Sequence, residues 1–323
     1  MKKTLRKKIF LSFLLLPLLT SCTNKLDYQN NIKESNLKET TVYLTTTIGN
    51  RPTGSENDKL AFEYSYDHLN KLKYPKIYTQ EFDTTLGKSK NVIISNKKDT
   101  NKDRKIINVL AHYDTFDGCP GATDNSAGIA SLFEIARVLK KYKSNHEIRF
   151  IALGAEEIGY IGSKYYANNL SEEEKENTIA SFVIDIPTGS IGEDLILVAN
   201  TLGGRTKDGY VEGKSSKPID NVVSKSIRDA YIELGYVTLE QTEEYWMPRT
   251  FGLSDHVSFH NVEIDAANIG WRGRKIDGNL PKNYHQPEDV EETLDYDRLM
   301  ITTKVITKAI INLDQNIDKY IAY

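Results

Sequence analysis

The fold class predicted for this chain is an α/β sandwich with a largely parallel central sheet. Three observations predict it: short apolar runs alternate with segments of helical period, those runs read as buried strands, and several of them end in a histidine or an acid. The first run is "KIINVLAHYD" at residues 105–114, a strand of the buried type. Ile129, Leu132, Phe133, Ala136 and Leu139 then fall on one face of a helix. "EIRFIALGAEE" is a second strand that runs into acids, and "GSKYYANNL" is a short helix. "IASFVIDI" and "DLILVAN" are further strands, and residues 218–235 and 295–314 read as amphipathic helices.

Sites in such sheets gather at the carboxyl ends of strands. That rule selects His112 and Asp114 after strand 106–111, Glu156 and Glu157 after 147–153, and Asp185 at the end of 179–184. Asp124 sits where the first helix begins, and His285 lies in the loop "NYHQPEDV" before the last helix. These side chains are expected to converge on one rim.

The chain has 323 residues, 39% of them apolar and 27% charged, the balance of a globular protein. It opens with "MKKTLRKKIF LSFLLLPLLT SC", a basic start followed by an apolar run too short to span a bilayer. Residues 1–21 are therefore expected to be a signal peptide, and Leu19, Thr20, Ser21 and Cys22 resemble a bacterial lipobox in which Cys22 is lipidated. The expected location is the extracytoplasmic face of the cell membrane, reached through acyl chains rather than a span. Residues 1–21 hold five basic and no acidic residues, so removing them takes the formal charge from −3 to −8, which disfavours nucleic acid as a partner. Residues 22–40 are polar without apolar periodicity and are expected to form a flexible tether, leaving 41–323 as one catalytic-size domain.

Imidazole nitrogen with carboxylate oxygen, and no thiolate among the candidates, suits zinc, cobalt or manganese in a catalytic site. Two histidines and three carboxylates exceed what one tetrahedral ion with an open position needs. They fit two ions about 3.5–4 Å apart that share a bridging carboxylate. The acid left over in the Glu156–Glu157 pair can then take a proton from water. Singly, each residue has an ordinary reading as a surface group, a helix start or a strand end. Their conjunction at strand ends is what points to chemistry.

The motifs resemble those of family-28 metallopeptidases, the co-catalytic zinc aminopeptidases. The likeness runs from "RPTGSENDKLAFEY" through "HYDT", "PGATDNSAG", "GAEEIGYIGSKYYA", the Asp of "VIDIPTGS" and "SDHVSF" to "YHQPEDVEETLDYDRL", in the family's order. It implies a three-layer, zinc-exopeptidase-like sandwich and two zinc ions per chain. His112, Asp124 and Asp185 would bind one ion, and Asp124, Glu157 and His285 the other. Glu156 matches the general base, and Asp114 matches the acid that orients the first histidine. Tyr284 stands where some relatives donate to a developing oxyanion, and Asp255 and His256 are expected to shape the substrate side. Two features depart from the commonest pattern, Pro187 after Asp185 and Cys119 in the metal loop; Cys119 reads as a small loop residue.

The function expected is removal of N-terminal residues from peptides. A rival of the same fold is glutaminyl cyclase, an acyltransferase that uses one zinc, but "AEEIGYIGS" lacks the insertion that resembling cyclases carry after the acids. A third reading is a binding lipoprotein without catalysis, although degenerate relatives usually lose ligands or the base, and here all six positions are filled.

Overall fold

A computed structural model of the chain describes residues 27–97, 104–213, 220–245, 253–273 and 279–321. The signal peptide and Cys22 lie outside those residues. The strands are β1 (Lys76–Thr84), β2 (Gly87–Ser95), β3 (Ile106–His112), β4 (Glu147–Leu153), β5 (Thr178–Ile184), β6 (Leu195–Asn200), β7 (Gly203–Thr206), β8 (Gly209–Glu212) and β9 (Ala266–Gly273). The helices are α1 (Glu34–Val42), α2 (Glu56–Lys71), α3 (Ala127–Leu139), α4 (Ile161–Asn168), α5 (Glu172–Asn177), α6 (Val222–Glu233), α7 (Leu239–Tyr245), α8 (His256–His260), α9 (Tyr296–Gln315) and α10 (Ile317–Tyr320).

Seven strands form one sheet in the order β1-β2-β4-β3-β5-β9-β6, and β7 pairs β8 in a separate hairpin. The four central strands β4, β3, β5 and β9 run parallel. Antiparallel pairing is confined to the β1–β2 side and to β6 at the other edge. Every residue of β3 and β5 is buried, as strands covered on both faces must be.

Alternation along the strands separates the two faces. Ile107, Val109 and Ala111 of β3 pack with Phe133 of α3, Ile227 of α6 and Ile306 of α9. Leu110 of the same strand packs with Tyr166 of α4 and Phe259 of α8 on the other side. The result is the expected three-layer sandwich. Strand β3 lies between β4 and β5, so the chain leaves β3 in one direction and returns beside it in the other. The crevice at the carboxyl end of β3 is thereby opened for a site.

One expectation is corrected. Of the tether expected over 22–40, the described residues 28–31 and 34–40 are instead helical, and the segment is packed, with Leu37 and Ile32 buried against Ala130 and Leu299. Glu134 of α3 accepts from the Lys33 amide and the Asn36 side chain, and Arg137 donates to the Asn31 carbonyl. The apolar stripe was hidden because threonines occupy part of it. Thr41 and Thr45 are buried with their hydroxyls donating to carbonyls four residues earlier, which lets a polar residue type line a packed helix face.

Candidate metal centre

Three neighbouring parallel strands deliver the first polar side chains. His112 ends β3, directly beside Leu153 of β4, and is 1% exposed. Its Nδ1 lies 3.2 Å from the Asp114 carbonyl and 3.5 Å from Asp114 Oδ1. Asp114 is itself fixed from three sides, accepting from the amides of Glu156 and Glu157 at 3.1 Å each and from the Thr53 hydroxyl at 2.9 Å. One buried carboxylate thus orients an imidazole at the end of β3 and the acidic turn after β4.

Asp124 comes from the turn between β3 and α3. Gly121 there has φ +65°, and a Cβ on it would lie 2.4 Å from the Asp124 carbonyl oxygen. Gly128 has a different reason to be glycine, since a Cβ would sit 2.1 Å from Asn125 Oδ1, whose amide donates to the Ile184 carbonyl of β5. The turn is also held from a distance: Asp289 accepts from the amides of Thr123 and Asp124 at 2.9 and 3.1 Å.

The side chains converge as follows. His112 Nε2 is 3.2 Å from Asp124 Oδ1 and 3.7 Å from Asp185 Oδ1. His285 Nε2 is 3.3 Å from Asp124 Oδ2 and 3.1 Å from Glu157 Oε2. Asp185 takes its orientation from Asn268 of β9, which donates to Oδ2 at 3.0 Å. His112 Nε2, His285 Nε2 and Asp185 Oδ1 are buried, and among the described residues none of the three has a hydrogen bond of acceptable geometry. Buried polar atoms are seldom left so. Three such atoms aimed at one gap, with an all-nitrogen-and-oxygen donor set, fit cations of the zinc type.

Two triads have donor atoms within 4.8 Å of one another: His112 with Glu156 and Asp185, and His112 with Asp124 and Glu157. Proximity thus places Glu156 beside a ligand set. A base that acts on water next to a cation must stand there too, so closeness alone does not make it a ligand.

The charge balance is uneven. Asp114, Asp124, Glu156, Glu157, Asp185 and Asp255 share the rim with two imidazoles, and behind it lie the buried guanidiniums of Arg51 and Arg272. Burial pushes Glu156 well above the ordinary carboxyl range and Glu157 up to about 7, the latter helped by Asp124. Burial also pushes Asp255 up to about 7, against the pull of His112. On Asp124 burial acts upward as well, but His112 and His285 outweigh it and hold the carboxyl low. Burial opposes charge on His112, yet Glu156, Asp114, Asp124 and Asp185 raise it well above its usual value. His285 is likewise lifted to about 9 by Asp124 and Glu157 against its burial. Excess negative charge in a buried crevice is stabilised by cations.

Of the remaining expected residues, Asp255 is buried and its charge acts on Glu156. His256 is buried at the start of α8. Tyr284 is half-buried and stacks on His285 with ring centroids 3.7 Å apart. Cys119 is a buried free thiol that belongs to neither group of ligating atoms.

Arg51 is a supporting residue that composition and spacing did not single out. It is fully buried and donates to the carbonyls of Tyr113, Leu44, Gly49, Pro120 and Gly121 and to the Ser126 hydroxyl. Burial lowers its pKa to about 10, so it remains charged at neutral pH. Asp289, Asn268 and Asn125 were also missed as supports. Arg51, Asn125 and Asp289 do lie inside the quoted motifs "RPTGSEN", "PGATDNSAG" and "YHQPED", so the available signal was a motif residue without a chemical role.

Residues 91–310 match peptidase family M28. "Aminopeptidase YwaD" of Bacillus subtilis is 36% identical over 222 residues, which are 69% of this chain and 44% of that protein. The chain therefore spans less than half the length of this curated relative. Among solved structures, a zinc aminopeptidase from Bacillus subtilis superposes with a TM-score of 0.76 at 23% identity, covering 87% of this chain and 95% of that one. A Bacteroides thetaiotaomicron glutaminyl cyclase bound to N-acetylhistamine superposes with a TM-score of 0.69 at 19% identity, covering 87% and 98%. At such identities the superpositions show a shared fold.

Proposed function

The chain belongs to peptidase family M28, and on that premise we propose that it is a two-zinc aminopeptidase that hydrolyses N-terminal residues from peptides. The observation that carries the reading is the placement of Asp124 between His112 and His285, one carboxylate oxygen toward each. His112, Asp124 and Asp185 would hold one zinc, and Asp124, Glu157 and His285 the other. Bound there, the zinc pair would acidify a water and polarise the carbonyl of the scissile bond. Glu156 would take the proton from that water as its oxygen bonds to the carbonyl carbon, and return it to the amine as the C–N bond breaks. Asp114 holds the His112 ring and the backbone of both glutamates, so the base and one ligand keep a fixed separation. Tyr284, whose ring stacks on His285, would donate toward the substrate carbonyl oxygen.

A one-zinc glutaminyl cyclase would employ Asp124, Glu157 and His285 and leave His112 and Asp185 without a metal. Metal analysis of the purified protein under zinc-replete conditions, with aminoacyl and glutaminyl reporter peptides assayed with and without chelator, separates the two. The expected result is two ions per chain, chelator-sensitive release of N-terminal residues, and loss of one ion and most hydrolysis in His112→Ala. One ion in the wild type, with glutaminyl cyclisation undiminished in His112→Ala, overturns the peptidase reading. We also propose that Cys22 carries acyl chains that hold the enzyme on the extracytoplasmic membrane face, supported by the lipobox-like run Leu19–Cys22.

A further inference from the structure

We infer that Phe116 is a positioning residue for the half of the site formed by Asp124, Glu157 and His285, an inference that rests on the two-ion reading above. The Phe116 ring lies parallel to the His285 imidazole, with centroids 4.3 Å apart and planes inclined by 11°. Tyr284 is also parallel to that imidazole, at 3.7 Å and 20°. Two rings stacked at such distances cannot occupy the same face, so His285 is held between them.

The same residue acts on a second ligand through its main chain. The Phe116 amide donates to Glu157 Oε1 at 2.9 Å, which leaves Oε2 turned toward His285 Nε2 at 3.1 Å. One residue thereby sets the plane of the imidazole and the rotation of the carboxylate opposite it. The loop that carries it is anchored. The Cys119 amide donates to the Phe116 carbonyl, the Gly118 amide donates to Asn50 Oδ1, and Asn50 donates in turn to Asp117 Oδ1.

The two histidines are oriented by different means. His112 has Asp114 at its Nδ1. Among the described residues no hydrogen bond is made to His285 Nδ1, so the stack takes over the orienting task that a carboxylate performs for His112. The backbone at His285 has φ +56°, and neither that dihedral nor a hydrogen bond fixes the ring plane, which is left to contacts. Phe116 is 45% exposed, so core packing does not explain a large apolar ring at this place; the imidazole is its parallel stacking partner.

The test is zinc titration of the purified full chain against a competing chromophoric chelator, for wild type, Phe116→Ala, Phe116→Leu and Phe116→Tyr. Phe116→Ala is expected to bind one of the two ions about 10–100-fold more weakly, the effect of losing a contact that orients a metal ligand, with the other ion unchanged. Phe116→Tyr should restore wild-type binding, while Phe116→Leu, which keeps bulk without a stackable face, should stay close to Phe116→Ala. Unchanged affinity for both ions in Phe116→Ala overturns the inference, and so does equal weakening of both, which would mark a general structural role. Full restoration by Phe116→Leu overturns the stacking argument. The wild-type stoichiometry tests the two-ion reading separately: with a single ion bound, that reading falls, while the ratio of Phe116→Ala to wild-type affinity still decides the role of Phe116.

Discussion

Asp124 presents its two carboxylate oxygens to two different histidines, Oδ1 at 3.2 Å from His112 Nε2 and Oδ2 at 3.3 Å from His285 Nε2. A single rotation of this side chain would disturb both halves of the site. Asp124→Asn replaces one oxygen with a donor that repels a cation, so both ions should be lost together at zinc concentrations that saturate the wild type. Retention of either ion by the variant in metal analysis would show that Asp124 does not bridge.

The paired glutamates should separate by phenotype. Glu156→Gln is expected to keep both ions and lower kcat by about 10²–10⁴-fold, the usual loss when a general base is removed. Glu157→Gln should instead weaken zinc binding, because Glu157 Oε2 faces His285 Nε2. Metal content and single-turnover rates measured on both variants decide the matter. Reversed phenotypes would exchange the two roles.

Arg51 should be a determinant of stability as well as of the site. Arg51→Met leaves carbonyls of the metal loop without donors, at about 1–3 kcal/mol for each acceptor left dry, partly offset by no longer burying a charge. A net loss of at least about 3 kcal/mol is expected in urea unfolding. Arg51→Lys should recover little of it, because one ammonium cannot replace a fork that reaches six acceptors. A loss under about 1 kcal/mol for Arg51→Met would show that the carbonyls find other donors, with the normal net worth of one hydrogen bond as the yardstick.

His68 gives a pH signature in which the groups acting on its charge are Lys71 and Glu134 rather than the candidate site. It stacks on Phe133 at 4.2 Å, and burial lowers its pKa from 6.5 to about 4, with Lys71 adding to the effect. Because the folded state holds the neutral ring, the unfolded chain binds the proton first. The contribution of His68 is complete above pH 6.5 and is lost as pH falls toward 4. Urea unfolding across that interval should show a steeper loss in wild type than in His68→Phe. Parallel curves for the two proteins would remove His68 as the cause.

The anchor is tested by fractionation. Cys22→Ala should leave the protein unprocessed or shift it from the membrane fraction to the medium. Normal processing with unchanged membrane retention would contradict lipidation at Cys22.

The rim was readable in the sequence because β3, β4 and β5 are short apolar runs whose polar ends stand out, as at His112, Glu156 and Asp185. The same contrast failed where burial and polarity coincide. The helical segment from Tyr28 to Ile48 packs through threonines as well as Leu37 and Ile32, so its periodicity was invisible. The β1–β2 hairpin is exposed along much of its outer strand and has no apolar run of its own in β1. Arg51 escaped for the opposite reason: a charged residue is expected outside, and only the ring of carbonyls around it explains its place inside.

The hold of Asp289 on the amides of Thr123 and Asp124 also has a meaning in time. The partners are separated by 166 and 165 positions, and at about 5–20 residues per second of synthesis the second arrives roughly 10–30 s after the first. Until then the turn that carries Asp124 lacks the acceptor that positions it. A nascent chain therefore carries His112, Glu157 and Asp185 before the acceptor that fixes the Asp124 turn exists, and the site proposed above would take up metal only after that later segment is made.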